Sequence, residues 1–361
     1  MTDSNIVLDM LIKPLLARPC AVPNIITVKD LVEVYSDGTK AVDGISFNVN
    51  EGEFFGFLGP NGAGKSTTIK ILTTLLRKTS GTVSVAGFDL ENNPKEIRKV
   101  IGVQSQETSV DPELSGRENM ILQGHLQQMS GKELEERVNY LLEVVGLKDA
   151  ADKRAGRYSG GMKKRLDLAS TLVHKPKVLF LDEPTTGLDP QSRATVWDYL
   201  EELNKKEGIT IFLTTQYLEE ADRLCQRLCI VDAGKIVAEG SPLGLKKEIG
   251  ADAITIVVQN RTGGAGDKTV TKAAARELLS KIPEVMNIVD TEEGLTIYVK
   301  NGGLFVPELV RTFDRTDIEL ISINISTPSL DDVFLKHTGK RIRREELVKE
   351  VSTGRFGSRR R

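Results

Sequence analysis

A chain of 361 residues, 39% hydrophobic and 28% charged, has the composition of a folded globular protein, which excludes a disordered chain. Its length points to two domains, or one large domain with an appendage, and its three cysteines exclude a disulfide framework and fit a reducing compartment. The formal charge of −2 is unevenly spread: from Lys336 to Arg361 ten basic residues stand against three acidic ones, so +7 there leaves −9 on the rest.

Residues 1–23 read as an N-terminal extension, either loose or a short docking helix. Its most apolar run, Ile6 to Leu16, is interrupted by Asp9, Lys13 and Pro14, and nowhere does the chain reach the roughly 20 apolar residues a membrane span needs. A secretory leader, with its basic start and long apolar stretch, is not expected here. A membrane role would come through a partner.

From Asn24 to Lys247 short β-rich runs alternate with helical stretches. Phe54 to Leu58, Val178 to Leu181 and Ile209 to Leu213 are nearly continuous apolar runs. Such runs read as strands buried on both faces, in a parallel sheet covered by helices. Helices are expected over Lys65–Arg77, Met162–His174, Pro190–Lys206 and Tyr217–Arg227, which makes an α/β domain. Cys225 and Cys229, four apart near the end of the last helix, read as packing residues; a shared metal is the alternative, but no second cysteine pair or nearby histidine completes it.

After Gly250 the texture changes. Strands are expected over Ile254–Gln259, Val285–Asp290, Leu295–Lys300 and Ile318–Ile325, with helices over Thr269–Ile282 and Pro307–Asp314. The order β-α-β-β-α-β over 250–338 is that of a small α+β, ferredoxin-like domain. The polar run Arg261–Lys268 reads as a loop, and 339–361 as a basic tail. No internal repeat is visible.

Three motifs carry chemistry. The first, Gly59-Pro-Asn-Gly-Ala-Gly-Lys-Ser66, follows an apolar strand and opens a helix-prone segment. Gly59, Gly62 and Gly64 let the backbone curl so that N–H groups point at phosphate oxygens. The helix N-terminus adds partial positive charge. Lys65 neutralises phosphate charge and the Ser66 hydroxyl suits Mg²⁺. By itself this cradle does not separate GTPases, kinases and ATPases; a ligand-free glycine turn is the bland alternative.

In the second motif, Val178-Leu-Phe-Leu-Asp182-Glu183, a buried strand ends in two carboxylates. Asp182 can hold Mg²⁺, directly or through a water. Glu183 faces the other way, as neighbours along a strand do, where it can polarise a water for attack on a γ-phosphate. The alternative is a solvated strand end. The third motif, Tyr158-Ser-Gly-Gly161, precedes the basic run Met162-Lys-Lys-Arg165. Ser159, Gly160 and Gly161 offer a second phosphate cradle at a helix start. One monomer has little use for two cradles; two copies head to tail would complete each other's sites.

Gly59–Thr67, Ser159–Gly161, Leu181–Pro184 and Gly187-Leu-Asp-Pro190 resemble, in order and spacing, the Walker A, signature, Walker B and D-loop of ABC ATPases. The resemblance implies a P-loop cassette with a parallel-sheet core, an antiparallel β subdomain and a helical subdomain, hydrolysing ATP with Mg²⁺. Carried over by position, it implies that Gly59, Pro60, Asn61, Gly62, Ala63, Gly64, Lys65, Ser66 and Thr67 wrap the phosphates and that Tyr35 stacks on adenine. The lesser alternative for Tyr35 is an ordinary strand tyrosine. It also implies that Gln106, in Ile101-Gly-Val-Gln-Ser-Gln106-Glu, reaches Mg²⁺ and the attacking water, with Gln104 as a competitor. Ser66, Gln106 and Asp182 form the implied metal set, and Glu183, Gln216 and Gln106 the catalytic set. Asp189 links the two sites of a dimer, and residues 107–157 receive the coupling helix of a membrane partner.

One position departs: most ABC ATPases have a histidine where this chain has Gln216. A glutamine amide can donate a hydrogen bond to a phosphate oxygen but carries no proton or charge, so hydrolysis should lean on Glu183. Thr214-Thr-Gln-Tyr-Leu-Glu-Glu-Ala221 and Ser329-Leu-Asp-Asp-Val-Phe-Leu-Lys-His-Thr-Gly339 resemble ATP-binding subunits of the daunorubicin-resistance type. Those subunits imply a separate multispanning permease, export of hydrophobic drugs or related compounds, a homodimer, and a position at the cytoplasmic face of the membrane. No catalytic constellation stands out after Gly250, and His337 reads as a surface residue following an apolar helix. The basic tail is either solvated or drawn to anionic lipid. A non-transport ABC ATPase, nucleotide-switched or associated with nucleic acid, is the rival; the single cradle and signature, the absence of sustained heptads and the lack of a basic, aromatic-studded face argue against it, and no nucleic acid is expected as a partner.

Overall fold

The computed structural model describes residues 23–249, 252–260, 268–290, 294–314, 316–326 and 328–338. The N-terminal extension up to residue 22, the expected polar loop at 261–267 and the basic tail from 339 lie outside the described residues. The chain divides into two compact units, Met1–Thr215 with Ala233–Ile236, and Gln216–Asp232 with Val237–Arg361.

The first unit runs β1 (Asn24–Val34), β2 (Lys40–Asn50), β3 (Phe54–Leu58), α1 (Lys65–Leu72), β4 (Ser80–Val85), β5 (Phe88–Asp89), α2 (Pro94–Val100), β6 (Ile101–Gln104), α3 (Gly116–Leu126), α4 (Gly131–Val144), α5 (Gly160–Thr171), β7 (Val178–Asp182), α6 (Pro190–Glu207) and β8 (Thr210–Thr215). β2, β1, β4 and β5 form an antiparallel sheet in that order, while β3, β8, β7 and β6 are neighbours in a parallel one. Every residue of β3, β7 and β8 is buried, as their apolar runs predict, including the polar residues Asp182, Thr210, Thr214 and Thr215 at the ends of β7 and β8. On β2 the alternation Ile45, Phe47, Val49 buries one face, and a register shift before Ile45 lets Val42 be buried too. Phe47 stacks on Phe55 at 5.7 Å and also meets Phe57 and Phe212, so aromatic packing joins the two sheets.

Helix ends shift for local reasons. α1 stops at Leu72 instead of Arg77, because Thr74 takes φ +64° and Leu75 and Leu76 turn their N–H groups back onto the Lys70 carbonyl. α5 starts two residues early: Ser159 caps it, accepting from Met162 N–H at 3.2 Å. α6 keeps its expected span within one residue, set by the Asp189 cap, Pro190 at the first position and Gly208 at φ +63°.

The second unit holds α7 (Leu218–Leu224), β9 (Arg227–Asp232), β10 (Lys235–Gly240) from Val237 onward, and α8 (Pro242–Ile249). It continues with β11 (Asp252–Asn260), α9 (Lys268–Leu279), β12 (Val285–Asp290), β13 (Leu295–Val299), α10 (Gly302–Asp314), β14 (Ile318–Ser326) and α11 (Leu330–Thr338). α7 is shorter than expected because Cys225 is already extended; Cys225 and Cys229 are packed in the apolar interior.

The sheet order β12-β13-β11-β14, antiparallel at every pairing, is the split βαβ arrangement expected from the element order. Its core gathers Ile254, Ile256, Leu279, Ile297, Phe305, Leu309 and Phe313. α10 begins at Gly302 and carries Pro307 inside it, where the sequence suggests a start at Pro307. Asn301 Oδ1 accepts from Leu304 N–H, and the early start brings Phe305 into one buried stripe with Leu309 and Phe313. α11 packs back on α8 and α7, with Lys336 Nζ donating to the Glu248 carbonyl at 2.8 Å. His337 is exposed, in the last turn of α11 instead of beyond it.

Candidate nucleotide site

Parallel pairing brings three strand ends together: Leu58 lies opposite Thr215, and Asp182 opposite Thr214. The carboxyl ends of parallel strands are where open α/β sheets bind ligands. The loop Gly59–Gly64 leaves β3 there and α1 begins at Lys65. Gly64 has φ +99°, and a Cβ on it would lie 2.3 Å from the Ala41 carbonyl oxygen. Only glycine can make that turn.

Lys65 is buried. Its Nζ donates to the carbonyls of Gly59 (2.9 Å) and Pro60 (3.0 Å) and stands 3.1 Å from Glu183 Oε1. The next residue, Ser66, donates through Oγ to Asp182 Oδ1 at 3.1 Å. The two carboxylates that end the second motif therefore meet successive residues of α1, one each. Thr67 Oγ1 lies 3.0 Å from the hydroxyl of Tyr35, a residue 38% exposed. Asn61 and Gly62 are exposed, Pro60 is half-buried and Ala63 buried.

Glu183 has φ +49°, a left-handed conformation costing about 1–2 kcal/mol for a side-chain-bearing residue. Two threonines hold it. Thr186 Oγ1 donates to Glu183 Oε2 at 3.2 Å. The Glu183 N–H reaches the Thr214 carbonyl at 3.1 Å and Thr214 Oγ1 at 3.3 Å, while that hydroxyl donates to Asp182 Oδ1 at 2.6 Å. Thr214, fully buried, thus fixes the Asp182 carboxylate and the Glu183 backbone at once. Neither threonine was singled out from the sequence; the available signal was a pair of hydroxyls, Thr214-Thr215, closing an otherwise apolar strand.

Gln106 is exposed, one residue past Ser105, and its backbone carbonyl accepts from Lys164 Nζ at 2.9 Å. Its competitor Gln104 is buried, with its amide nitrogen 3.3 Å from Asp167 Oδ2. Ser159 and Gly160 are exposed at the start of α5, and a Cβ on Gly161 would lie 2.9 Å from Ser192 Oγ. Asp189 is exposed at the start of α6; hydrogen bonds from Ser192 hold its carboxyl below the usual carboxylate range. Gln216 directly follows β8 as the first residue of the second unit.

The Ser66 hydroxyl and the Asp182 carboxylate are adjacent hard oxygen donors, and among the described residues no three His, Cys, Asp or Glu side chains cluster to cage a metal ion. Two such protein oxygens suit Mg²⁺, which usually draws its remaining ligands from substrate phosphate and water.

Residues 42–186 match the family model described as "ABC transporter", and residues 240–338 match that of "ATP-binding protein DrrA1-3-like, C-terminal domain". The chain is 43% identical to a daunorubicin resistance ATP-binding protein of Streptomyces coeruleorubidus, over 85% of this chain and 93% of that one. The chain belongs to the ABC transporter family, as an ATP-binding subunit of the daunorubicin-resistance type.

The subunit is also 40% identical to a Nod factor export ATP-binding protein of Burkholderia lata, over 83% of this chain and 92% of that one. Among solved structures, cbiO1 of Clostridium perfringens, part of the ABC transporter complex cbiONQ, superposes with a TM-score of 0.57 at 29% identity, over 72% of this chain and 96% of that one. A dimeric ATP-binding cassette in a post-hydrolysis state, bound to ADP and Pi, superposes with a TM-score of 0.55 at 27% identity, over 60% and 98%. The subunit is therefore an ATP-hydrolysing component of an ABC transporter. Among its described residues no helix is long and apolar enough to cross a membrane.

Proposed function

We propose that two copies of this subunit hydrolyse ATP at two shared sites and thereby energise export of hydrophobic, drug-like compounds through a separate membrane permease, to which they attach at the cytoplasmic face. The observation that carries the dimer is the second phosphate cradle: Ser159 and Gly160 open α5 exposed to solvent, in a chain whose loop 59–67 already wraps a nucleotide's phosphates. One chain carries both halves, so two identical copies suffice. The relatives named for daunorubicin resistance and Nod factor export support export as the direction of transport.

In this reading residues 24–247 are the ATPase domain and 250–338 an accessory domain. Tyr35 stacks on adenine. The loop Gly59–Thr67 wraps the phosphates, with Lys65 turning from Glu183 to the phosphate oxygens. Ser66, Asp182 and Gln106 hold Mg²⁺, which when bound neutralises charge on the phosphoryl oxygens. Glu183 takes the proton of the attacking water at Oε1, since Oε2 is held by Thr186. Gln216 donates its amide N–H to the γ-phosphate. Ser159, Gly160, Gly161 and Asp189 of each copy complete the other copy's site.

The test is complementation. Lys65→Ala and Ser159→Arg chains, each inactive alone, should regain ATPase activity on mixing, because a mixed dimer contains one intact site. Mixing without recovery would refute shared sites. For export, inverted membrane vesicles containing the co-purified permease should take up daunorubicin with ATP, and not with the Lys65→Ala subunit; equal uptake with both would refute the transport reading.

A further inference from the structure

The loop that carries Gln106 is gripped at three points by one face of α5. Lys164 and Asp167, three residues apart and so on the same side of the helix, both point into it and both are buried, at 8% and 2% exposure. Lys164 Nζ donates to the carbonyls of Gln106 (2.9 Å) and Ser105 (3.4 Å). Asp167 Oδ1 accepts from the Ser109 backbone N–H (3.1 Å) and hydroxyl (2.8 Å), and Oδ2 from the Gln104 amide (3.3 Å). The loop is thus tied down before, at and after Gln106, while the Gln106 side chain stays exposed.

Packing alone does not account for these residue types. A buried ammonium and a buried carboxylate are costly to desolvate, and leucines or methionines would serve to seat α5 on the sheet. The Lys164 ammonium is met by backbone carbonyls of the loop, which is what placing the loop requires. The same helix is capped by Ser159, five residues before Lys164 and therefore about 7–8 Å along the axis.

We infer that Lys164 and Asp167 are positioning residues for Gln106, and that α5 transmits the state of the Ser159–Gly161 cradle to the glutamine in the same chain's own site. A nucleotide engaged by the cradle for one site then sets the geometry of the metal and water ligand in the other. The inference rests on the proposed roles of Gln106 and of the Ser159–Gly161 cradle.

The test is a double-mutant cycle on the full-length subunit. Lys164→Met and Asp167→Ala should each lower kcat about tenfold and raise the Mg²⁺ concentration for half-maximal activity by a similar factor, with the KM for ATP little changed when each is assayed well below its own melting temperature. Asp167→Asn should retain most activity, since its oxygen can still accept from Ser109 and its amide can meet Gln104 Oε1, a buried acceptor with no hydrogen-bond partner in the native arrangement. In a Gln106→Ala background neither Lys164→Met nor Asp167→Ala should cause a further loss, and any cooperativity in ATP should fall toward a Hill coefficient of about one in both single variants. If Gln106→Ala lowers kcat but the losses multiply, or if the variants act only through melting temperature or KM, the positioning role is overturned while Gln106 keeps its own. If Gln106→Ala leaves kcat and the Mg²⁺ dependence unchanged, the role of Gln106 fails first and the inference with it.

Discussion

Lys65 Nζ stands 3.1 Å from Glu183 Oε1, and both side chains are buried. The cation proposed to meet the phosphates and the carboxylate proposed to activate the water thus neutralise each other within the protein. Removing one partner from a buried pair leaves an uncompensated charge. Lys65→Ala should therefore lower unfolding free energy by about 3 kcal/mol, besides abolishing activity. The doubly neutral Lys65→Met/Glu183→Gln chain should recover most of that stability and none of the activity. Denaturant unfolding without nucleotide checks both; equal stability of the single variant and the native chain would show that the pair is not a structural tie.

Glu183→Gln keeps the shape of the site and removes the base, so ATPase activity should fall by about 100-fold or more. Gln216 can supply a hydrogen bond but no proton, so Gln216→Ala should cost less. Steady-state rates of the two variants, normalised to nucleotide binding, decide the ranking. Equal rates near zero would contradict it.

Thr214→Val replaces the hydroxyl that donates to Asp182 Oδ1 at 2.6 Å with a methyl group of nearly the same size. Asp182 then keeps the Ser66 hydroxyl alone among these two donors, and the left-handed turn at Glu183 loses one acceptor. Mg²⁺ should be needed at about tenfold higher concentration for half-maximal ATPase, with Thr214→Ser close to the native chain. A Mg²⁺ titration of the two variants makes the comparison.

His174 is a pH-sensitive point remote from the chemistry. Burial pushes its imidazole below the ordinary histidine range, and Nε2 lies 2.9 Å from the Ile101 carbonyl. With the folded value depressed, the unfolded chain binds the proton more readily. This contribution to stability is thus complete above the unfolded value, near pH 6.5, and is lost as pH falls from there through the depressed folded value. Melting temperatures at pH 7.5 and 5.5 should differ more for the native chain than for His174→Asn. The same loss in both would assign the acid sensitivity to other groups.

Much of this was legible without coordinates because it depends on short stretches of chain. Strand β3, the glycines at 62 and 64 and the helix after Lys65 are local, and their residue types are forced by backbone geometry and by apolar periodicity. The strand ending in Asp182 and Glu183 is legible for the same reason, as is the β-α-β-β-α-β order of the second unit. Helix ends were less legible. α1 stops at Leu72 and α10 starts at Gly302 because of a left-handed turn in one case and a buried stripe in the other, and neither is marked by local propensity.

The tertiary structure alone decided which distant residues share a job. Thr214 is an ordinary strand threonine until register puts it opposite Asp182. Lys164 and Asp167 are ordinary helix residues until α5 lies against the loop from Gln104 to Ser109. A sequence determines local conformation through steric and hydrophobic pattern, and so it determined the phosphate cradle and the carboxylate pair. Which hydroxyl or ammonium reaches them depends on hydrogen bonds of about 3 Å between residues 30 to 120 positions apart, and only packing sets those distances.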